Sequence, residues 1–177
     1  MAELDLNSLI VDIPDYPEPG VVFKDITTLL KDPEGFGEVI DRIADHFAGR
    51  GVTKVVGAEA RGFMIGAPVA YKLHAGFVPA RKPGKLPREA LSESFELEYG
   101  TDTLEIHADA LDVDDVVLIV DDLVATGGTA NAQARLVERF GAKLAGMGFL
   151  MELAFLNPRD TIAEQTDAEV FSLVQVK

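Results

Sequence analysis

The stretch VVLIVDDLVATGGTA, residues 116–130, constrains this chain more than any other. An unbroken run of apolar, mostly β-branched residues fits a strand of a parallel sheet covered on both faces. Parallel strands need crossover connections, and helical and strand patterns alternate along the rest of the chain. The expected fold is therefore α/β, with a mostly parallel central sheet flanked by helices. The run ends on two adjacent carboxylates, Asp121 and Asp122, at what should be the carboxyl end of the strand, where ligands of such sheets bind. ATGGT (125–129) follows, and a helix is expected from Gly128 to Phe140. Gly127 and Gly128 allow close backbone approach. Thr126 and Thr129 add hydroxyls, and the helix start offers unpaired N–H groups at a positive dipole end. Together these make a phosphate cradle, and carboxylates just ahead of it suit a sugar phosphate. The segment lacks the Gly-Lys-Ser/Thr of a Walker A loop and is not a G-x-G-x-x-G motif. On the motif alone, a solvated turn with a helix cap competes with this reading.

The other elements are placed by periodicity. Residues 12–20 hold three of the nine prolines and read as an extended arm. Residues 32–51 read as a helix, with Phe36, Val39, Ile40, Ile43 and Phe47 on its apolar face and Gly51 as a stop. Strands are expected at 52–58, 77–82, 144–153 and 169–176, and a second helix at 63–76. Residues 83–94 read as a long polar loop, followed by two strands, 95–100 and 103–111, joined by a turn at 100–102. His46, His74 and His107 share no spacing and are read as structural.

The chain has 177 residues, 47% hydrophobic, which argues for one folded domain over residues 1–177. There is no cysteine, so no disulfide framework or thiolate chemistry, and a cytoplasmic setting is expected. No secretory signal or membrane-length apolar run is visible. The formal net charge is −14, which disfavours nucleic acid and anionic membranes as partners. Against that background, four of the sixteen basic residues fall within RKPGKLPR (81–88), suggesting a small anionic ligand.

VDDLVATGGT (120–129) resembles the signature of the type I phosphoribosyltransferases, which bind phosphoribosyl pyrophosphate (PRPP). PGVVFKDIT (19–27), GAEARGF (57–63), RKPGKLP (81–87) and LEYG (97–100) extend the resemblance, in the order found in the adenine-using members. The resemblance implies a type I phosphoribosyltransferase fold with a small N-terminal hood (about 1–32), a core (about 33–177) and a mobile loop (about 83–99). It implies transfer of a phosphoribosyl group from PRPP to adenine, giving AMP and pyrophosphate, with Mg²⁺ held mainly by PRPP and water, in a homodimer. It assigns Asp121 and Asp122 to the ribose hydroxyls, and Ala125, Thr126, Gly127, Gly128 and Thr129 to the 5′-phosphate. Arg61, Arg81, Lys82 and Lys85 fall to the pyrophosphate. Val22, Phe23, Lys24 and Leu153 fall to adenine. Glu98, with Tyr99 beside it, falls to acid/base catalysis, and no protein metal site is expected.

The chemistry agrees with these roles. Pyrophosphate leaves ribose through a transition state with oxocarbenium character, and arginine and lysine neutralise the charge that builds on it. A positioned carboxylate handles the purine proton, and a closing loop excludes water. Taken alone, Arg61 fits a structural pair as well as a ligand contact, and Phe23 fits core as well as base stacking. The rival readings are a phosphoribosyltransferase for xanthine, hypoxanthine or orotate, and a PRPP-sensing regulator.

Overall fold

The structure, a computed structural model, describes residues 4–97 and 99–177. Its centre is a five-stranded sheet in the order β4 (Gly76–Ala80), β3 (Lys54–Ala58), β7 (Val116–Val124), β8 (Lys143–Leu153), β9 (Val170–Val176), parallel throughout. The apolar run sits in the middle strand. Val117 and Ile119 pack with Leu136 of α4 (Gly128–Arg139) on one face. Leu118 and Val120 pack on the other face with Ile43 of α2 (Pro33–Phe47) and Ile65 of α3 (Arg61–Lys72). Two-sided burial is what selects an unbroken apolar strand over an alternating one. Helix α2 starts where Asp32 accepts from the Gly35 N–H at 2.7 Å and Pro33 takes the first turn. Among the described residues no helix is long and apolar enough to cross a membrane.

The chain departs from the sequence expectations in several places. The N-terminal arm is a hairpin: β1 (Val11–Pro14) pairs antiparallel with β2 (Val22–Asp25), in register from Val11 opposite Asp25 to Pro14 opposite Val22. Pro14 is tolerated because it ends a short two-stranded ribbon. A short helix, α1 (Thr27–Leu30), follows. The loop expected over 83–94 gives way at Ala90 to β5 (Ala90–Glu96), which pairs along its whole length with β6 (Thr101–His107). Its polar Ser-Glu-Ser centre hid the strand. The β7 strand does not stop before the aspartates; pairing with β8 continues through Asp121 to Val124, so the acidic pair lies within the strand. Helix α3 begins at Arg61, two residues early. Finally, β8 is followed by a 3-10 turn (Ala154–Leu156) and helix α5 (Pro158–Ala163) that periodicity did not reveal.

The β5–β6 hairpin is tied down at its base. Arg81 and Glu105 exchange backbone hydrogen bonds at 2.8 and 2.7 Å. Arg135 of α4 reaches Glu93 at 3.1 Å and the Ser94 carbonyl at 2.9 Å. The helix that opens at the Gly-Gly turn thus also anchors the hairpin whose tip carries Tyr99.

Candidate active site

The acidic pair lies under the start of α3. A Cβ at Gly62 would stand 2.9 Å from Asp121 Oδ1, so only glycine lets the helix come this close. The Asp122 N–H donates to that same oxygen at 2.8 Å. Burial, and then the neighbouring negative charge of Asp122, push the Asp121 carboxyl well above the ordinary carboxylate range. Asp122 Oδ2 is 3.0 Å from Arg61 Nε, and the Arg61 guanidinium lies 5.8 Å from the centre of the Phe23 ring. Arg61 therefore joins the acidic pair to the N-terminal hairpin.

The 125–129 turn follows directly. Gly127 takes a left-handed conformation (φ 95°), and a side chain there would also meet the Pro158 carbonyl at 3.1 Å. This is the position in the turn that demands glycine. Gly128 is roomier, its nearest neighbour being Phe95 at 3.4 Å. Among the described residues no side chain caps the start of α4, an arrangement suited to an anion.

Beside Arg61 lies a largely apolar cavity of about 610 Å³. Val22, Phe23, Lys24 and Leu153 all line it, so the four residues assigned to adenine share one cavity with Arg61. Sequence reasoning missed Asp12, Met151, Phe155 and Leu156, which line it too. Asp12 sits directly across the hairpin from Lys24, and its carboxylate holds Lys24 Nζ at 2.6 Å. A period-2 reading of 11–14 against 22–25 would have paired them.

The basic loop is arranged differently. Arg81 Nε is 2.8 Å from Glu59 Oε2, and the Lys82 N–H donates to the same oxygen at 3.0 Å. Lys82 Nζ is 3.2 Å from Asp102. Burial raises the Glu59 carboxyl, but the bonds from Lys82 and Arg81 outweigh it and hold the group below its ordinary range. Glu59, two residues before Arg61, is a site-side residue that the GAEARGF segment carried and sequence reasoning passed over. Tyr99 is 85% exposed at the hairpin tip, and Glu98 lies outside the described residues. Between that hairpin and the start of α4 is a polar hollow of about 470 Å³ reached by Glu96, Gly128 and Arg135.

Residues 25–176 match the phosphoribosyl transferase domain family. The chain is 56% identical over 159 residues to the adenine phosphoribosyltransferase of Solidesulfovibrio magneticus, covering 90% of this chain and 93% of that one. It is 54% identical over 175 residues to the adenine phosphoribosyltransferase of Desulfitobacterium hafniense, covering 99% of each. Among solved structures, the adenine phosphoribosyltransferase of Thermoanaerobacter pseudethanolicus superposes with a TM-score of 0.91 at 48% identity, covering 97% of this chain and 98% of that one. The Giardia lamblia enzyme solved with 9-deazaadenine gives 0.92 at 36% identity, covering 100% and 99%.

Proposed function

Because the chain belongs to the adenine phosphoribosyltransferases of the phosphoribosyl transferase family, we propose that it transfers the 5-phosphoribosyl group of PRPP to adenine, giving AMP and pyrophosphate. One observation carries the reading at the level of this chain's own residues. An apolar cavity walled by Val22–Lys24 and Leu153 shares Arg61 with the Asp121–Asp122 pair, and the Gly-Gly turn follows that pair on the same strand-to-helix connection. A base, a ribose and a phosphate need just such neighbours.

In this reading the 5′-phosphate rests on the uncapped start of α4 and the 125–129 backbone. The ribose hydroxyls donate to Asp121 and Asp122. Adenine lies against Phe23 and Leu153, with backbone N–H and C=O groups at Val22 and Lys24 meeting N1 and N6. Purine N9 bonds to ribose C1, the C1–O bond breaks, and its electron pair leaves on the pyrophosphate. Lys85 meets that charge, while Arg61, Arg81 and Lys82 must first let go of Asp122, Glu59 and Asp102. The purine proton passes to the acid/base group, the role given to Glu98 with Tyr99 beside it. Magnesium belongs to the same reading: when bound it neutralises the diphosphate. Among the described residues no three or more His, Cys, Asp or Glu side chains gather into a metal site. The diphosphate and water would therefore supply most of its oxygen ligands, leaving Asp121 and Asp122 to the ribose hydroxyls.

We read residues 1–177 as one domain, with the β1–β2 hairpin in the hood and residues 83–99 as the loop that closes. A homodimer is part of this proposal, supported by Met64 and Tyr71, exposed apolar residues two turns apart on α3. So is a cytoplasmic setting, supported by the cysteine-free composition. Incubation of the purified protein with PRPP, Mg²⁺ and adenine tests the activity: AMP and pyrophosphate should appear in equal amounts. Pyrophosphate release without AMP would reduce the chain to a PRPP hydrolase.

A further inference from the structure

Glu152, near the carboxyl end of β8, is only 3% exposed, and its chain neighbours Met151 and Leu153 both line the apolar cavity. Arg159 of α5 grips it with a fork, Nε to Oε1 at 2.9 Å and Nη2 to Oε2 at 2.8 Å. From β9, Ser172 Oγ donates at 2.6 Å and Gln175 Nε2 at 3.3 Å, and Arg159 Nη1 also reaches the Val170 carbonyl at 2.8 Å. A carboxylate this deep is tolerated only when paired and hydrogen-bonded, so the pair fixes where the chain between its members can go. That segment turns through Ala154–Leu156 and a left-handed Asn157 (φ 51°), and it carries Phe155 and Leu156 to the cavity. Helix α5 is held from its other side as well. Asn131 Nδ2 donates to the Thr161 carbonyl at 2.9 Å, and the Pro158 carbonyl packs under Gly127. Release of the Glu152–Arg159 bond would therefore loosen the 154–156 turn before it disturbed the Gly-Gly turn.

We propose that Glu152 and Arg159 are a positioning pair for the base, holding the 154–156 turn so that Phe155 and Leu156 close the cavity in which adenine is received. This rests on the cavity being the adenine site. The test is steady-state kinetics of Glu152→Gln, Arg159→Met and Arg159→Lys, with Lys54→Met as the control for lost stability. Lys54 pairs with the buried Asp115 at the opposite end of the sheet, 2.8 Å away. Glu152→Gln and Arg159→Met should raise KM for adenine roughly 2- to 30-fold, the range for positions that act through a neighbouring element, while KM for PRPP and kcat stay near wild type. Arg159→Lys keeps the charge but loses the fork and should fall between them and wild type. If Arg159→Met does not fold, Arg159→Lys decides by the same split. An unchanged adenine KM, or an equal rise in Lys54→Met, overturns the pair's role while wild-type AMP formation still stands. A wild type that makes no AMP overturns the reading of the cavity itself.

Discussion

The two halves of the site are built in opposite ways. On the base side, Val22, Phe23 and Leu153 already wall a cavity of about 610 Å³, and burying apolar surface there needs no exchange of partners. On the phosphate side, Arg61 is held by Asp122, Arg81 by Glu59 and Lys82 by Asp102. An acidic protein that keeps its cations satisfied internally must trade those contacts for the charges of PRPP. On the proposed reading the base side is preformed, whereas the phosphate side has to exchange its own ion pairs. Arg61, which touches both Asp122 and the Phe23 ring, is where the halves meet.

The sharpest break should come from the chemical step. In Glu98→Gln, turnover should fall roughly 10²- to 10⁴-fold if the carboxylate is the acid/base group; a near-normal rate would leave it a positioning role. Arg61→Ala comes next. Loss of one donor aimed at developing charge costs roughly 10²- to 10³-fold in kcat, and adenine affinity should change much less. Normal turnover with weakened adenine binding would assign Arg61 to the base side alone. Asp121→Asn should weaken PRPP binding by roughly 1–3 kcal/mol, the scale of a hydrogen bond to a charged group, measured by calorimetry. The same variant should be more stable than wild type at neutral pH. The folded carboxyl sits above its ordinary value of 3.8, so the stabilisation gained by protonating it is present below that value and is lost as pH rises through the raised one. Asp121→Asn should therefore raise Tm at neutral pH, and the gain should vanish in acid melts. The smallest effect belongs to Lys24→Ala. Its backbone is the part proposed to read the base, so adenine KM should move little, whereas Lys24→Pro should be severe.

Much of this was legible in the sequence because its causes are local. The continuous apolar run at 116–120 marked a buried central strand, and the 3.6-residue spacing from Phe36 to Phe47 marked α2. The candidate base residues, separated by more than a hundred positions, met in one cavity only because the parallel order carries β8 beside β7 and the N-terminal hairpin packs near their carboxyl ends. What the sequence hid were partners set by tertiary contact. Arg81 and Lys82 read as cations awaiting an anionic ligand, yet Glu59 and Asp102, remote in sequence, hold them. Strand β5 was hidden because the inward position between Leu91 and Phe95 is Glu93, held by Arg135, rather than an apolar residue. Helix α5 is six residues long, too short for a periodic signal, and it is fixed by Arg159 reaching back to Glu152.

Base selection tests the account most directly, because it asks whether the preformed half was built for adenine. Adenine presents an N6 donor and an N1 acceptor, whereas hypoxanthine presents O6 and an N1 donor. A buried backbone pattern matched to one leaves groups unpaired with the other, a difference that reaches about 10⁴-fold or more. The measurement is the ratio of kcat/KM for adenine and hypoxanthine at saturating PRPP and Mg²⁺. The account predicts a ratio on the order of 10⁴ in favour of adenine; comparable values for the two bases would contradict it.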